Sequence, residues 1–298
     1  MVPPRDRIER IVDLVFGTSI NSIQRSDSGY SSDTYLIDID KDPGRIICKI
    51  GGPSIHTGEV IEPLVVDELA DTPDIPVPAV HATGRFSGEQ PPNNRWALYE
   101  FCAGDRPVEF ADCSLATRRQ VLKDVGAMLG ALHKEFQYDT FGAFVRSNEG
   151  IALDSSTGLD FERLGRGLLH RLPSTERNDA QPVLAHGDLY PGNLLINDHG
   201  EITTIFDWAN SYTSTPAAAI ARAELRFIDW FRFPSDERDR LQMALQQGYQ
   251  QHRPIPREYH TVGWEYKVMW FMQIGSWTLR NLRTPHGRRQ LRRTIGID

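Results

Sequence analysis

One stretch of the chain gathers the residue types that could do chemistry. His186-Gly187-Asp188-Leu189-Tyr190-Pro191-Gly192-Asn193 sets a carboxylate in a tight loop and a carboxamide five residues on. Leu194 to Ile196 is then a short apolar strand, Asp198-His199-Gly200 a turn, and Ile202 to Phe206 a second apolar strand leading into Asp207-Trp208. A hairpin of that length is expected to return Asp207 to the neighbourhood of Asn193. Two carboxylates and a carboxamide at one edge offer hard oxygen ligands, which Mg²⁺ prefers alongside phosphate oxygens. A carboxylate not spent on metal can accept a proton from an attacking hydroxyl. Such a set suits phosphoryl transfer, where positioning and charge neutralisation do most of the work. The spacing does not say which carboxylate takes which part.

Elements must hold these residues in place. Residues 5–16 carry Ile8, Ile11, Val12 and Val15 at helical spacing. Thr34 to Asp40 and Arg45 to Ile50 read as strands joined by Asp42-Pro43-Gly44, a hairpin. Glu59 to Ala70 reads as a helix, with Pro63 confined to its first turn because a proline deeper in would break it. Ile75-Pro76-Val77-Pro78 must be extended, since each proline disfavours helix at the residue before it. Gly84 to Asn94 is expected as a polar loop and Trp96 to Phe101 as a buried strand. Thr117 and Gln120 fit a capping box for a helix bearing Val121, Val125, Met128, Leu129, Leu132 and Phe136. Residues 160–172, and the chain from about 217 onward, are expected to be mostly helical. The division expected is a sheet-rich part over residues 1–101 and a larger helical part over 102–298.

Composition narrows the classes. The net charge of −7 argues against a general nucleic-acid binder, which needs a basic face to displace counterions. Cys48, Cys102 and Cys113 are too few and too widely spaced for a disulfide framework or a zinc site. Met1 to Asp13 is charged, with no apolar core of a signal peptide, and no run of apolar residues is long enough to span a membrane. A cytoplasmic protein, monomer or homodimer, with no nucleic-acid or membrane partner is the expectation. Basic residues are mostly arginine, the lysines being Lys41, Lys49, Lys123, Lys134 and Lys267. A lysine at the end of an apolar strand, as Lys49 is, therefore stands out.

His-Gly-Asp-x-x-x-x-Asn with an apolar hairpin ending in Asp-Trp resembles the catalytic and metal-binding loops of the aminoglycoside phosphotransferase and choline kinase-like family. These correspond to the His-Arg-Asp and Asp-Phe-Gly loops of protein kinases. The resemblance spans about residues 20–210. It implies an α+β, bilobal protein-kinase-like fold, with a small antiparallel-sheet N-lobe that binds nucleotide and a larger, mostly helical C-lobe for catalysis and acceptor. It implies that Asp188 is the catalytic base, that Asn193 and Asp207 hold Mg²⁺, and that His186 braces the loop. Lys49 would contact the α/β-phosphates and pair with a helix glutamate, best Glu62, with Glu59 and Glu68 as alternatives. Gly29, Ser31 and Ser32 would belong to a nucleotide-positioning loop, although Ser32 stands where relatives often carry Asn. The carbonyl of Glu100 and the N–H of Cys102 would face the adenine. Leu129 to Lys134 matches the family's Leu-His helix, with His133 a packing or hydrogen-bonding residue.

The activity implied is transfer of the γ-phosphate of ATP or GTP to a hydroxyl of a small molecule, an aminoglycoside-like antibiotic or a metabolite. A catalytically silent, nucleotide-binding interaction module of pseudokinase type is the alternative. The intact Lys49, Asp188, Asn193 and Asp207 argue against it. A protein kinase would show a His-Arg-Asp loop, a loop with three glycines and an Ala-Pro-Glu segment, and the chain has none of them. Tyr259, Trp264, Tyr266, Trp270, Phe271 and Trp277 are expected as a helical core stripe, with an acceptor pocket as the other reading. The arginine-rich end, Arg280 to Arg293, is expected to be a solvated basic helix.

Overall fold

The computed structural model describes residues 4–26, 32–87, 94–148, 150–157, 181–273 and 288. The chain divides into two compact units. One comprises Met1–Ala103, Phe144–Ala152 and Thr204–Ser211, and the other Gly104–Ala143, Leu153–Thr203 and Tyr212–Asp298. The helix expected over residues 160–172 lies outside the described residues, as do Trp277, the side chain of Phe271 and, Arg288 apart, the arginine-rich end.

The first unit is built on an antiparallel sheet of five strands: β1 (Ile20–Arg25), β2 (Ser32–Ile39), β3 (Arg45–Gly51), β4 (Val80–Arg85) and β5 (Arg95–Glu100). Their order is β1-β2-β3-β5-β4. Alternation decides the faces. Tyr35, Ile37 and Ile39 of β2, and Ile46, Cys48 and Ile50 of β3, are buried in one cluster with Ile8, Ile11 and Val12 of helix α1 (Pro4–Phe16). Lys49, between Cys48 and Ile50, therefore points to the opposite face. Its strand is central, paired with β2 at Thr34 and with β5 at Ala97.

Two expectations are corrected in this unit. Helix α2 runs Glu62–Leu69 and does not begin at Glu59. Proline has no N–H to give and is tolerated only in the first turn, so Pro63 fixes the start beside it. The polar loop expected from Gly84 begins later, because Val80–Arg85 pairs with β5. Gly84 sits opposite Trp96, and a Cβ there would lie 2.3 Å from the indole ring. The glycine makes room for a cross-strand tryptophan and does not end the strand. Most of the hairpin of β6 (Ala143–Ser147) and β7 (Gly150–Asp154) also belongs to this unit. The main-chain N–H of Arg146 donates to Glu59 Oε2 at 2.7 Å, and its guanidinium to the carbonyl of Val60 at 2.9 Å.

In the second unit, α3 (Leu115–Glu135) lies against α5 (Ser235–Tyr249) with backbones in near contact. A Cβ on Gly126 would sit 2.0 Å from the carbonyl oxygen of Leu245, and one on Gly248 1.9 Å from that of Lys123. The cap of α3 is a third correction. Ser114, extended at φ −61°, ψ 153°, accepts the N–H of Thr117 at 3.1 Å, so Ser114 is the N-cap and Thr117 lies inside the helix. Gln120 donates to Asp124 at 2.8 Å and closes no box. Short strands β8 (Val183–Ala185) and β11 (Tyr212–Ser214) pair antiparallel, Tyr212 opposite Ala185. Between them, β9 (Leu194–Ile196) turns at Asn197–Glu201 into β10 (Ile202–Ile205), which carries the chain into the first unit. Helix α4 (Pro216–Glu224), capped by Thr215, runs into a π-helical turn at Leu225–Asp229, and α6 (Arg257–Gln273) follows α5. In α6, Tyr259, Tyr266 and Trp270 are buried, whereas Trp264 is exposed.

Candidate active site

In the first unit, Lys49, Glu62 and Asp207 converge. Lys49 Nζ donates to both carboxylate oxygens of Glu62, at 2.7 and 2.9 Å, and lies 3.6 Å from Asp207 Oδ1. Glu59 is engaged by Arg146, and Glu68 is exposed, so Glu62 alone of the three glutamates meets the lysine. Asp207 has φ 68°, ψ 51°, a left-handed conformation that few residues other than glycine adopt. Neighbours hold it there. Its N–H donates to Glu62 Oε1 at 3.1 Å. The N–H of Ile205 donates to the carbonyl of Pro76 at 2.7 Å, which uses the extended segment the prolines enforce. Trp208 Nε1 donates to the carbonyl of Ile205 at 3.0 Å.

The charges in this trio are coupled. Burial pulls the Lys49 ammonium down, but Glu62 and Asp207 outweigh it and the net shift is upward. Burial pushes the Glu62 carboxyl up, and Asp207 adds to this against the pull of Lys49. One cation between two carboxylates leaves surplus negative charge, which a metal ion can neutralise.

In the second unit, the loop from His186 to Asn193 is tied at every turn. His186 is buried, and its Nδ1 accepts the N–H of Asp188 at 3.2 Å. Asn193, also buried, donates from Nδ2 to the main-chain oxygen of Asp188 at 2.9 Å, with Asp188 Oδ2 at 3.4 Å. Three arginines that sequence reasoning missed hold the rest. Arg106 Nε donates to the carbonyl of Gly192 at 2.9 Å. Arg222 donates to the carbonyl of Gly187 and, at 3.3 Å, to the hydroxyl of Tyr212. Arg226 pairs with Asp188 Oδ1 at 3.3 Å. Burial pulls the Arg226 guanidinium down, Asp188 supports it, and Arg222 pulls it further down. The side chain of Asp188 is 35% exposed and that of Asp207 36%, so each carboxylate is held by partners yet open to a ligand.

Other expected site residues differ in setting. Gly29 and Ser31 lie outside the described residues. Ser32 is at the start of β2, its hydroxyl 3.1 Å from that of Thr34. Glu100 ends β5, and its carboxylate accepts the N–H of Ala79 at 3.2 Å. Cys102 is half-buried, and burial pushes its thiol up.

Each unit holds an oxygen donor of a kind that Mg²⁺ accepts. Among the described residues no group of three or more His, Cys, Asp or Glu side chains forms a cage. Magnesium bound with phosphates needs only one or two protein oxygens, and the Asp207 carboxylate and Asn193 carboxamide are of that kind. The bond from Asn193 Nδ2 to Asp188 also turns the amide so that Oδ1 is the atom left for a cation.

Comparison with known proteins now assigns the class. The chain has a bilobal, protein-kinase-like α+β fold. It belongs to the APH phosphotransferase enzyme family, whose model matches residues 22–259. Among solved structures it is similar to a thermostable mutant of aminoglycoside phosphotransferase APH(4)-Ia in ternary complex with AMP-PNP and hygromycin B. The identity is 16% over 97% of each chain, with a TM-score of 0.63. It is similar to macrolide 2'-phosphotransferase MphH from Brachybacterium faecium, at 16% identity over 98% of this chain and 99% of that one, with a TM-score of 0.55. It is also similar to a Haemophilus somnus protein assigned as a fructosamine-3-kinase, at 16% identity over 97% and 96% of the two chains, with a TM-score of 0.61. No curated protein matches the chain. Among the described residues no helix is long and apolar enough to cross a membrane.

Proposed function

We propose that this phosphotransferase moves the γ-phosphate of ATP or GTP to a hydroxyl of a small molecule. The observation that carries the reading is the trio of Lys49, Glu62 and Asp207. A lysine on a central strand is clamped by a helix glutamate, which also accepts the N–H of an aspartate held in a left-handed turn. Lys49 would reach the α/β-phosphates, with Glu62 fixing its direction. Gly29, Ser31 and Ser32 would sit along the phosphates, and the main chain at Glu100 and Cys102 would take the adenine. Residues 1–101 would form the nucleotide lobe, and residues 102–298 the catalytic and acceptor lobe.

Asp188 would act as the base, taking the proton of the acceptor hydroxyl on its carboxylate. His186 and Asn193 fix the main chain on either side of it, and Arg226 fixes the carboxylate itself. Asn193 and Asp207 would hold Mg²⁺, which when bound neutralises charge on the phosphate oxygens. Bound nucleotide and fixed acceptor then need little covalent help from the protein. The structural neighbours point the same way, since APH(4)-Ia is described in a ternary complex with AMP-PNP and hygromycin B. The test is a thermal melt with ATP or GTP plus Mg²⁺, followed by a screen of hydroxylated compounds for stimulated nucleoside diphosphate release. Ligand that binds the native state must raise the melting temperature. No shift with either nucleotide at saturating concentration contradicts the reading.

A further inference from the structure

The side chains around Asp188 say what kind of acceptor it can serve. Arg222 and Arg226 lie four residues apart where α4 passes into the π turn, a backbone irregularity frequent at functional sites. Both guanidinium groups stack on Trp270, at 5.3 and 5.2 Å from its ring centre. Arg226 also covers Tyr190 at 4.5 Å and Trp230 at 5.7 Å. Among the described residues the ionisable groups that bear on Arg226 are Asp188, Arg222 and Tyr190, so one carboxylate stands against two guanidinium groups. The acids of the same segment are spent elsewhere. Glu224 and Asp229 both pair with Lys267, Asp229 also with Arg238, and Glu224 also accepts from Gln242 and the hydroxyl of Tyr259.

Among the described residues, the guanidinium groups beside the candidate base therefore outnumber the carboxylates. Guanidinium groups already lie against the rings of Trp270, Tyr190 and Trp230, where an ammonium group of a ligand could otherwise stack. Arginine carries five N–H donors. On Arg226 one is given to Asp188, and Nε has no hydrogen-bond partner among the described residues. A polycationic or quaternary ammonium acceptor meets repulsion here. An anion meets a fork of donors preset on rigid aromatic supports.

We propose that the acceptor is a small hydroxylated anion, a carboxylate or a phosphate ester, whose charge is seated on Arg226 beside Asp188. The proposal rests on the kinase reading above and narrows it away from aminoglycosides and choline-like amino alcohols. The anion sits on Arg226 while its neighbouring hydroxyl faces the Asp188 carboxylate. The surplus charge thus selects the substrate as well as orienting it.

The test measures nucleoside diphosphate release with Mg²⁺ and ATP or GTP in four arms of similar molecular size. These are hydroxy acids, sugar phosphates, neutral polyols and sugars, and aminoglycosides with amino alcohols. The expected result is stimulation by at least one anionic arm and by neither the neutral nor the cationic arm. Which anionic arm responds separates carboxylate from phosphate ester. In Arg226→Gln the KM for that anion should rise about tenfold or more, the worth of one charge-assisted hydrogen bond. Arg226→Lys should recover part of the loss, and the melting shift with Mg²⁺–nucleotide should be unchanged in both variants. Stimulation by the cationic or neutral arm, or by none, overturns the proposal. So does an Arg226→Gln variant that loses nucleotide binding and leaves the preference among arms intact. If the wild-type melting shift with nucleotide persists in any of these cases, the kinase reading survives. If that shift is absent, both fall. Should Arg226→Gln fail to fold, the wild-type comparison of arms still decides.

Discussion

The main-chain N–H of Asp207 donates to Oε1 of Glu62, the carboxylate that also binds Lys49, so one glutamate on α2 fixes a cation and a left-handed turn together. The two residues are 145 positions apart in sequence. Glu62 thus contributes both to the direction of Lys49 and to the presentation of Asp207. Lys49 and Glu62 should therefore behave as a unit. In the cycle of Lys49→Met, Glu62→Gln and their double variant, urea unfolding should show a coupling of about 1–3 kcal/mol, as expected for contacting charges. Glu68→Gln, exposed on the same helix, should couple to Lys49 by less than about 0.5 kcal/mol. Additivity at Glu62, or coupling at Glu68, contradicts the arrangement.

Asp207 is held in a conformation that an L side chain enters at a cost of about 1 kcal/mol or more. Asp207→Gly removes that cost along with the carboxylate. The variant should be as stable as wild type or more stable by about 1 kcal/mol, and should lose its melting shift with Mg²⁺–nucleotide. Asp207→Ala should lose the shift and be destabilised as well. Equal stability of the alanine and glycine variants would mean that the turn stores no strain.

The contact of α3 with α5 depends on absent side chains. Gly126→Ala and Gly248→Ala each exchange a poor helix former for a good one, which alone would stabilise by roughly 1 kcal/mol. Each new methyl, however, meets a carbonyl oxygen of the facing helix at 2.0 or 1.9 Å. Backbone cannot move aside as a flexible side chain can, so both variants should be destabilised, by about 1–3 kcal/mol in urea unfolding. A rise in stability would contradict the close approach.

His133 supplies a pH dependence. It is fully buried, with Nδ1 3.0 Å from the hydroxyl of Tyr249, and burial, helped by Arg253, brings its pKa down to about 3. The folded-state pKa lies below the unfolded one, so the proton prefers the unfolded chain. Above about pH 6.5 both states are neutral and there is no cost. Below it the unfolded chain takes the proton, and stability falls by up to about 1.4 kcal/mol per pH unit until the folded-state pKa is reached. Between pH 7.5 and 5.5 wild type should lose about 1.4 kcal/mol more than His133→Gln. Equal losses would show that His133 is protonated in the folded protein.

How much of this was legible follows the range of each interaction. The loop from His186 to Asn193, and Asp207 after its hairpin, stand out because their chemistry is compressed into little more than twenty residues. Lys49 stood out because lysine is scarce, and Glu62 because it lies thirteen residues before Ile75-Pro76-Val77-Pro78, a segment that resembles the one following that helix in relatives. Arg106, Arg222 and Arg226 were invisible, since arginine is the chain's usual basic residue and nothing local distinguishes them from solvated ones. Their partners lie 86, 35 and 38 residues away. Ser114 was missed as a cap because Thr117 and Gln120 offered a competing signal. Gly84 looked like a loop because its reason, the indole of Trp96, comes from the neighbouring strand.

In the proposed reaction Asp188 would take the proton of the acceptor hydroxyl, while Lys49, Glu62 and Asp207 would organise the nucleotide. The most direct test is Asp188→Asn, which keeps the shape of the side chain and removes its basicity. Acceptor-stimulated nucleoside diphosphate release and Mg²⁺–nucleotide affinity should be measured on the same preparation. In this variant kcat should fall by a factor on the order of 10² or more while nucleotide affinity stays within about twofold of wild type. Near-normal turnover in Asp188→Asn, or a loss of nucleotide affinity matching the loss of rate, would contradict that proposal.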